Sequence, residues 1–102
     1  MVHINVSCKN VRQAQSIAAV LLRRRLVACV SWWPITSRYW WRGKLHTDRE
    51  VLLSCKTIET KQAAVTRLIL QLHRYTLPVI TIEKQKTTPA VMAWMKQSIN
   101  NK

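Results

Sequence analysis

The sequence of 102 residues predicts an α+β fold of ferredoxin-like order, β-α-β-β-α-β, with one additional helix at the C-terminus. Two observations lead to this prediction. Stretches that alternate apolar and polar residues, or that are rich in β-forming residues, are separated by stretches with the 3.6-residue apolar period of helices. In addition, no linker, repeat or low-complexity segment divides the chain, so residues 1–102 are expected to form a single domain.

The first third of the chain predicts a strand, a helix and a second strand. From Val2 to Cys8 every second residue is apolar, which is the period of a half-buried strand. Asn10 is a suitable N-cap for the helix that follows, and the three arginines at 23–25 are expected at the C-terminal end of that helix. Residues 26–33 are expected to form a central strand that is interrupted by Pro34.

The middle of the chain predicts a long hairpin. Residues 37–42 are extended and aromatic, and a turn is expected at Gly43, the only glycine, together with Lys44. Residues 50–56 then form the returning strand, with apolar residues on one face. The sheet has a second face that the short final helix can cover only in part, so another subunit is the expected cover for the rest.

The last third predicts a helix, a short strand and the final helix. The second helix is expected to start at Thr57 or Thr60, because apolar residues at helical spacing follow. Residues 77–82 are expected to form the short strand. Thr88 followed by Pro89 is a strong N-cap and first-turn signal, which predicts the start of the final helix.

The chain is strongly basic. Seventeen lysines and arginines stand against four acids, which gives a net charge of +13 at pH 7. Such a surface attracts polyanions without sequence preference, so weak, non-specific binding to nucleic acid is expected. With so few acids a catalytic pair of carboxylates is disfavoured. Asp48 and Glu50 would share a strand face, and we interpret them as a solvated rim of the hairpin.

Composition disfavours several other classes of protein. The longest apolar run covers residues 17–22, far below the roughly 20 residues that span a bilayer, so no membrane association is expected. A single glycine excludes a glycine-rich phosphate loop. Three cysteines without a CxxC pair are typical of reduced, packed thiols, which indicates a cytoplasmic protein. The expected role is therefore binding and assembly, not catalysis.

Aromatic and basic side chains are concentrated along the predicted hairpin. One interpretation is a subunit interface, where Trp and Tyr are enriched. The alternative is a stacking platform for single-stranded nucleic acid, flanked by the basic residues. We favour the interface for the aromatic residues and keep anion binding open for the basic ones. The aromatic residues are Trp32, Trp33, Tyr39, Trp40 and Trp41, and the basic residues are Arg38, Arg42 and Lys44.

Three motifs resemble those of the CutA divalent-cation tolerance proteins. Residues 25–30 read R-L-V-A-C-V, against R-L-A-A-C-V in that family. Residues 34–44 match its P-x-x-S-x-Y-x-W-x-G-K segment, and residues 72–78 read L-H-R-Y-x-x-P against L-H-P-Y-x-x-P. The matches keep their order and spacing over nearly the whole chain.

The resemblance implies a tight homotrimer of ferredoxin-like subunits, related in architecture to the PII signalling proteins, with hairpins and sheet edges paired between subunits. It also implies a role in divalent-cation tolerance, with copper or another divalent cation bound by Cys8 and His73, whose thiolate and imidazole suit copper. A PII-like sensor of a small anion in inter-subunit clefts is the alternative. Arg42 stands where the family often has glutamate, and Arg74 stands for the proline of H-P-Y, so weaker cation binding is expected.

Overall fold

The computed structural model describes residues 1–100 and has the predicted order of elements. All strand pairs are antiparallel, and the sheet order is β2-β3-β1-β4, which is the ferredoxin-like arrangement. A short 3₁₀ turn at Glu59–Lys61 precedes the second helix. The elements are β1 (Val2–Cys8), α1 (Val11–Arg23), β2 (Cys29–Trp41), β3 (Lys44–Thr57), α2 (Gln62–Leu72), β4 (Ile80–Lys84) and α3 (Pro89–Asn100).

The core lies between α1, α2 and one face of the sheet, which we call the helix face. Alternate residues of β1 point into it, and all four are completely buried because β1 is a central strand. Apolar residues at helical spacing on α1 and α2 meet them. The main core side chains are Val2, Ile4, Val6, Cys8, Ala14, Ile17, Leu21, Leu53, Cys55, Val65 and Ile69.

The opposite side of the sheet, which we call the open face, carries mixed polar and apolar residues. The register places His3 beside Lys56, and Asn5 beside Ser54, on this face. Helix α3 lies over one end of this face, where Trp94 and Met95 line a cavity together with His3 and Lys56. Within residues 1–100, the hairpin part of the open face stays accessible, with Trp33 43% and Tyr39 38% exposed.

The β2–β3 hairpin extends well beyond the rest of the sheet and gives the subunit an elongated shape of 46 × 24 × 21 Å. The last residue of β1, Cys8, pairs with Val51, so the stretch of β3 before Val51 pairs with β2 alone. The connecting turn consists of Arg42 and Gly43, which both have positive φ angles, 52° and 78°. This is the left-handed geometry of a two-residue hairpin turn. The predicted turn at Gly43 and Lys44 is therefore one residue too late.

The positive φ of Arg42 leads to a prediction about stability. Asparagine tolerates this conformation better than arginine, and Asn-Gly is the preferred pair in such turns. Arg42→Asn is therefore expected to raise the free energy of unfolding by about 0.5–1 kcal/mol in urea denaturation. Arg42→Ala is the matched control, because it also removes the charge and the contact of the guanidinium with the Trp41 ring at 5.5 Å. An Asn variant no more stable than the Ala variant would contradict this account of the turn.

The predicted interruption at Pro34 is wrong, and so is the central position of this strand. Strand β2 runs through Pro34, which pairs with Val51, and β2 lies at the edge of the sheet. An edge strand tolerates proline because its outer side has no partner strand that needs the missing N–H. Residues 26–28 precede the strand because the Leu26 amide donates to Leu21 and closes α1.

The helix starts agree with the sequence in two cases out of three. Asn10 caps α1, since its side-chain oxygen accepts from the Gln13 amide at 2.9 Å. Thr88 caps α3 in the same way, with its hydroxyl 3.4 Å from the Val91 amide. Of the two predicted starts of α2, Thr57 is wrong, because it ends β3 and its hydroxyl donates to the Leu26 carbonyl at 2.6 Å. Thr60 lies in the 3₁₀ turn that leads into α2, which begins two residues later at Gln62. Strand β4 also begins later than predicted, at Ile80.

Candidate functional site

Residues from three parts of the chain come together near the end of β1. They come from the end of β1, from the part of β3 that β1 no longer covers, and from the loop that follows α2. The pairing of β1 with β3 ends at Cys8 and Val51. The neighbouring residue of β3, Glu50, therefore pairs with β2 only and has no β1 residue on its other side. We call this group the strand-end cluster and define it as Ser7, Cys8, Glu50, His73 and Tyr75.

His73 is the centre of the cluster and is 9% exposed. Its amide donates to the Ile69 carbonyl and closes the last turn of α2. The ring nitrogen Nδ1 accepts from the Tyr75 amide at 3.1 Å, and Nε2 lies 2.8 Å from the Ser7 carbonyl oxygen. Because a carbonyl only accepts, Nε2 carries the proton and donates. Both nitrogens of the neutral ring are therefore occupied.

Tyr75 joins the imidazole to an acidic residue. Its hydroxyl donates to Glu50 Oε2 at 2.6 Å, and its ring packs edge-on against His73 with 4.6 Å between centroids. Burial and the bond to Glu50 raise the pKa of Tyr75. Glu50 is 8% exposed, and the predicted solvated rim is thus wrong for this residue. Its neighbour Asp48 is exposed and accepts from the hydroxyl of Tyr39, as a rim residue can.

The backbone of Cys8 is close to His73, because His73 bonds to the preceding residue, Ser7, but the Cys8 side chain is in the core. Its side chain is completely buried on the helix face. Burial, and then the charge of Glu50, raise the pKa of the Cys8 thiol to about 11, so it is protonated at neutral pH. The two ligands predicted for a metal therefore come to the same end of β1, since His73 bonds to Ser7, the residue before Cys8.

Cys8 and His73 have suitable donor atoms for a cation, but neither donor atom is free to bind one in this structure. Thiolate and imidazole suit copper. However, the thiol is protonated and both ring nitrogens are engaged, so a cation needs one of the two hydrogen bonds of His73 to break and Cys8 to lose its proton. Within residues 1–100, no group of three or more His, Cys, Asp or Glu side chains could hold a metal ion.

The predicted aromatic residues divide between the two faces of the hairpin. Trp33, Tyr39 and Trp41 lie on the open face, and Trp32 and Trp40 lie on the helix face, because side chains alternate along β2. Trp40 is 73% exposed. The hairpin therefore presents apolar surface on both sides.

The predicted anion-binding residues do not converge within one subunit. Arg38 lies on the helix face, where its Nε donates to Thr47 at 3.2 Å. Arg42 is in the turn and packs over the Trp41 ring, and Lys44 pairs with Trp41 across the hairpin. They do not form a common cleft, so a shared ligand would need surfaces from more than one subunit.

The sequence pattern did not indicate the roles of Glu50 and Tyr75, nor a cavity of about 320 Å³ beneath α3. The available signals were that Glu50 is one of four acids and stands in a Glu-Val pair also found in the family that the chain resembles, and that Tyr75 belongs to the L-H-R-Y motif. In the cavity, burial and then the charge of Lys56 lower the pKa of His3. The nearby ammonium repels cations, so this cavity is a poor metal site in spite of Cys29 in its wall.

Comparison with known proteins gives consistent results. A family profile described as CutA1 divalent ion tolerance protein matches residues 2–98. The divalent-cation tolerance protein CutA of Thermotoga maritima is 31% identical over 100 residues, which cover 97% of this chain and 99% of that protein. A CutA homolog of Xenopus laevis is 40% identical over 92 residues, or 88% of this chain and 61% of that protein. The chain thus spans only part of the animal relatives.

Solved structures show the same fold. The structure described as the periplasmic divalent cation tolerance protein CutA from Archaeoglobus fulgidus has a TM-score of 0.92 at 30% identity, covering 97% of this chain and 99% of that one. CutA from Xylella fastidiosa has a TM-score of 0.88 at 35% identity, covering 96% of each chain. No helix within residues 1–100 has the length and hydropathy needed to cross a bilayer.

Proposed function

The chain belongs to the CutA1 divalent ion tolerance protein family, and from this premise we propose that it is a homotrimeric, cytoplasmic binding protein that contributes to tolerance of copper or a related divalent cation. It acts by binding and not by catalysis. The observation that carries the proposal is the position of Cys8 and His73 at one end of β1, within a chain that matches the family over residues 2–98.

The homotrimer is supported by apolar surface that the subunit leaves uncovered. Trp33 on the open face is 43% exposed, and Ile82 on the edge strand β4 is 43% exposed. Among residues 1–100, β2 and β4 are the edge strands of the sheet, so no strand pairs with their outer sides. A small subunit with this much exposed apolar surface is stabilised by association. Pairing of edge strands between copies also provides hydrogen-bond partners for their backbone N–H and C=O groups.

The cation site is proposed to be weak. Cys8 and His73 would hold the cation through a thiolate sulfur and an imidazole nitrogen, which are donors that suit copper. In addition, Arg74 directly follows His73 and is exposed. A divalent ion and one such charge about 10 Å apart in water repel by roughly 0.8 kcal/mol, which salt reduces. The free thiols of Cys8, Cys29 and Cys55 agree with the reducing conditions of a cytoplasm.

Growth of a copper-sensitive bacterial strain tests the proposal. Expression of the wild-type chain is expected to raise the tolerated copper concentration several-fold, and Cys29→Ser is expected to act like the wild type. Cys8→Ser and His73→Ala, expressed at equal levels of folded protein, are expected to give no protection. No effect of the wild type would contradict a role in tolerance, and equal protection by all four proteins would remove Cys8 and His73 from it.

A further inference from the structure

The charges of the molecule are distributed unequally between its two sides. Three of the four acids lie on the open face: Asp48 and Glu50 on β3, and Glu83 on β4 opposite His3. The fourth, Glu59, is in the 3₁₀ turn and pairs with Lys84 at 2.6 Å. Helices α1 and α2 contain no acidic residue. The outer side of the helix layer therefore has almost no negative charge to offset its cations.

The cations of this layer lie on its outer side. Arg12 and Arg23 are eleven residues apart on α1, which is about three turns, so both lie on the same exposed stripe about 16 Å apart. The bond from His73 to Ser7 places the end of α2 beside the start of α1, which brings Arg74 towards Lys9. All members are exposed except Lys61, which is partly buried. We define the basic track as Lys9, Arg12, Arg23, Arg24, Lys61, Arg67 and Arg74.

We propose that the basic track is a binding surface for the phosphodiester backbone of double-stranded nucleic acid. A duplex carries one negative charge per about 1.7 Å of its axis, so a track of about 16 Å faces on the order of ten phosphate charges. The surface is distinct from the aromatic hairpin and borders the strand-end cation site at Arg74, the residue that follows His73.

The structure of the two helices favours nucleic acid over a lipid surface. The apolar sides of α1 and α2 are buried against the sheet, with Ile17, Leu21 and Ile69 at most 1% exposed. A helix that binds in a membrane interface inserts its apolar side, and these helices cannot do so without unfolding the core. Their exposed surface presents guanidinium and ammonium groups, which match the phosphates of a duplex. It also carries the apolar side chains of Val11 and Leu22 on α1 and of Leu70 and Leu72 on α2, which are 37–54% exposed and are divided between the two helices.

The binding is expected to be independent of base sequence and steeply dependent on salt. In this proposal the track contacts the phosphodiester backbone, and backbone contacts carry no direct sequence information. If about five phosphates are neutralised, the plot of log K against log salt has a slope of about −4.5, and affinity falls by several hundredfold between 50 and 200 mM salt.

Fluorescence anisotropy with a labelled 25-base-pair duplex tests the proposal on two variants that lose the same charge. The track variant is Arg12→Gln, Arg23→Gln, Arg67→Gln, and the hairpin variant is Arg38→Gln, Arg42→Gln, Lys44→Gln. The track variant is expected to bind the duplex at least 30-fold more weakly at 50 mM salt. Its plot of log K against log salt is expected to be less steep by about 2.7, because three charges are removed. The hairpin variant is expected to change affinity by less than threefold.

Three results would overturn the proposal. Equal losses in the two variants would mean that net charge alone attracts the duplex. A loss confined to the hairpin variant would place binding on the aromatic hairpin. Tighter binding of the wild type to vesicles with 30% phosphatidylserine than to the duplex at equal salt would assign the track to membranes. Far-ultraviolet circular dichroism confirms that both variants are folded before binding is compared.

Discussion

Trp33→Asp is expected to sediment as a monomer, whereas the wild type is expected to sediment as the proposed trimer at about 36 kDa, three times its subunit mass of 11.9 kDa. Trp33 lies on the open face of edge strand β2, opposite Leu52, where the proposed contact between subunits runs. A buried, unpaired carboxylate in that contact costs several kcal/mol per subunit, and the trimer contains three of them. Sedimentation equilibrium at micromolar concentration measures the change.

The control is Leu70→Asp, which adds the same charge to an apolar residue with comparable exposure, 54%, on α2 outside the proposed contact. It is expected to remain trimeric. Three subunits together carry about +39, so dissociation of the wild type should be easier at low salt, where like charges are less screened. A monomeric wild type, or equal dissociation of the two variants, would contradict assembly through the open face.

His73→Ala is expected to lower the free energy of unfolding by about 2–4 kcal/mol. The substitution leaves the Ser7 carbonyl and the Tyr75 amide without their partners and opens a cavity where the buried ring was. Tyr75→Phe removes only one hydroxyl and is expected to cost about 1–2 kcal/mol, because the nearly buried Glu50 carboxylate loses its donor. Guanidinium denaturation at one fixed protein concentration measures both.

His46→Ala is the matched control for the histidine substitution. The His46 ring stacks on Tyr39 in the hairpin, 5.7 Å between centroids, and its removal is expected to cost less than about 0.5 kcal/mol. Equal effects of the two histidine substitutions would show that the strand-end cluster adds nothing to stability.

The local pattern of the sequence predicted much of the fold. The alternation in β1 and the caps at Asn10 and Thr88 depend on neighbours in the chain, and the structure confirms them. The tolerance of Pro34 depends on which strand lies at the sheet edge, which is a property of the whole topology. For the same reason the pattern at Pro34 alone could not predict that β2 continues through it.

The candidate site was predictable only in part. The resemblance to a family indicated Cys8 and His73, and the structure places them at the same end of β1. The partners of His73 are not visible in any local pattern, because Ser7 lies 66 residues away in the chain. Likewise, Glu50 is buried by Tyr75, 25 residues later, so a strand position that reads as exposed becomes enclosed.

Calorimetric titration with copper, under argon and with reduced thiols, tests the central claim most directly. The wild type is expected to bind about one ion per subunit, and the control Cys29→Ser is expected to do the same. Cys8→Ser and His73→Ala, each folded at the temperature used, are expected to bind about tenfold more weakly or worse, because each removes one of the two proposed donors. Equal affinity in all four proteins would contradict the claim and leave Cys8 and His73 with the structural roles they have in the core and the strand-end cluster.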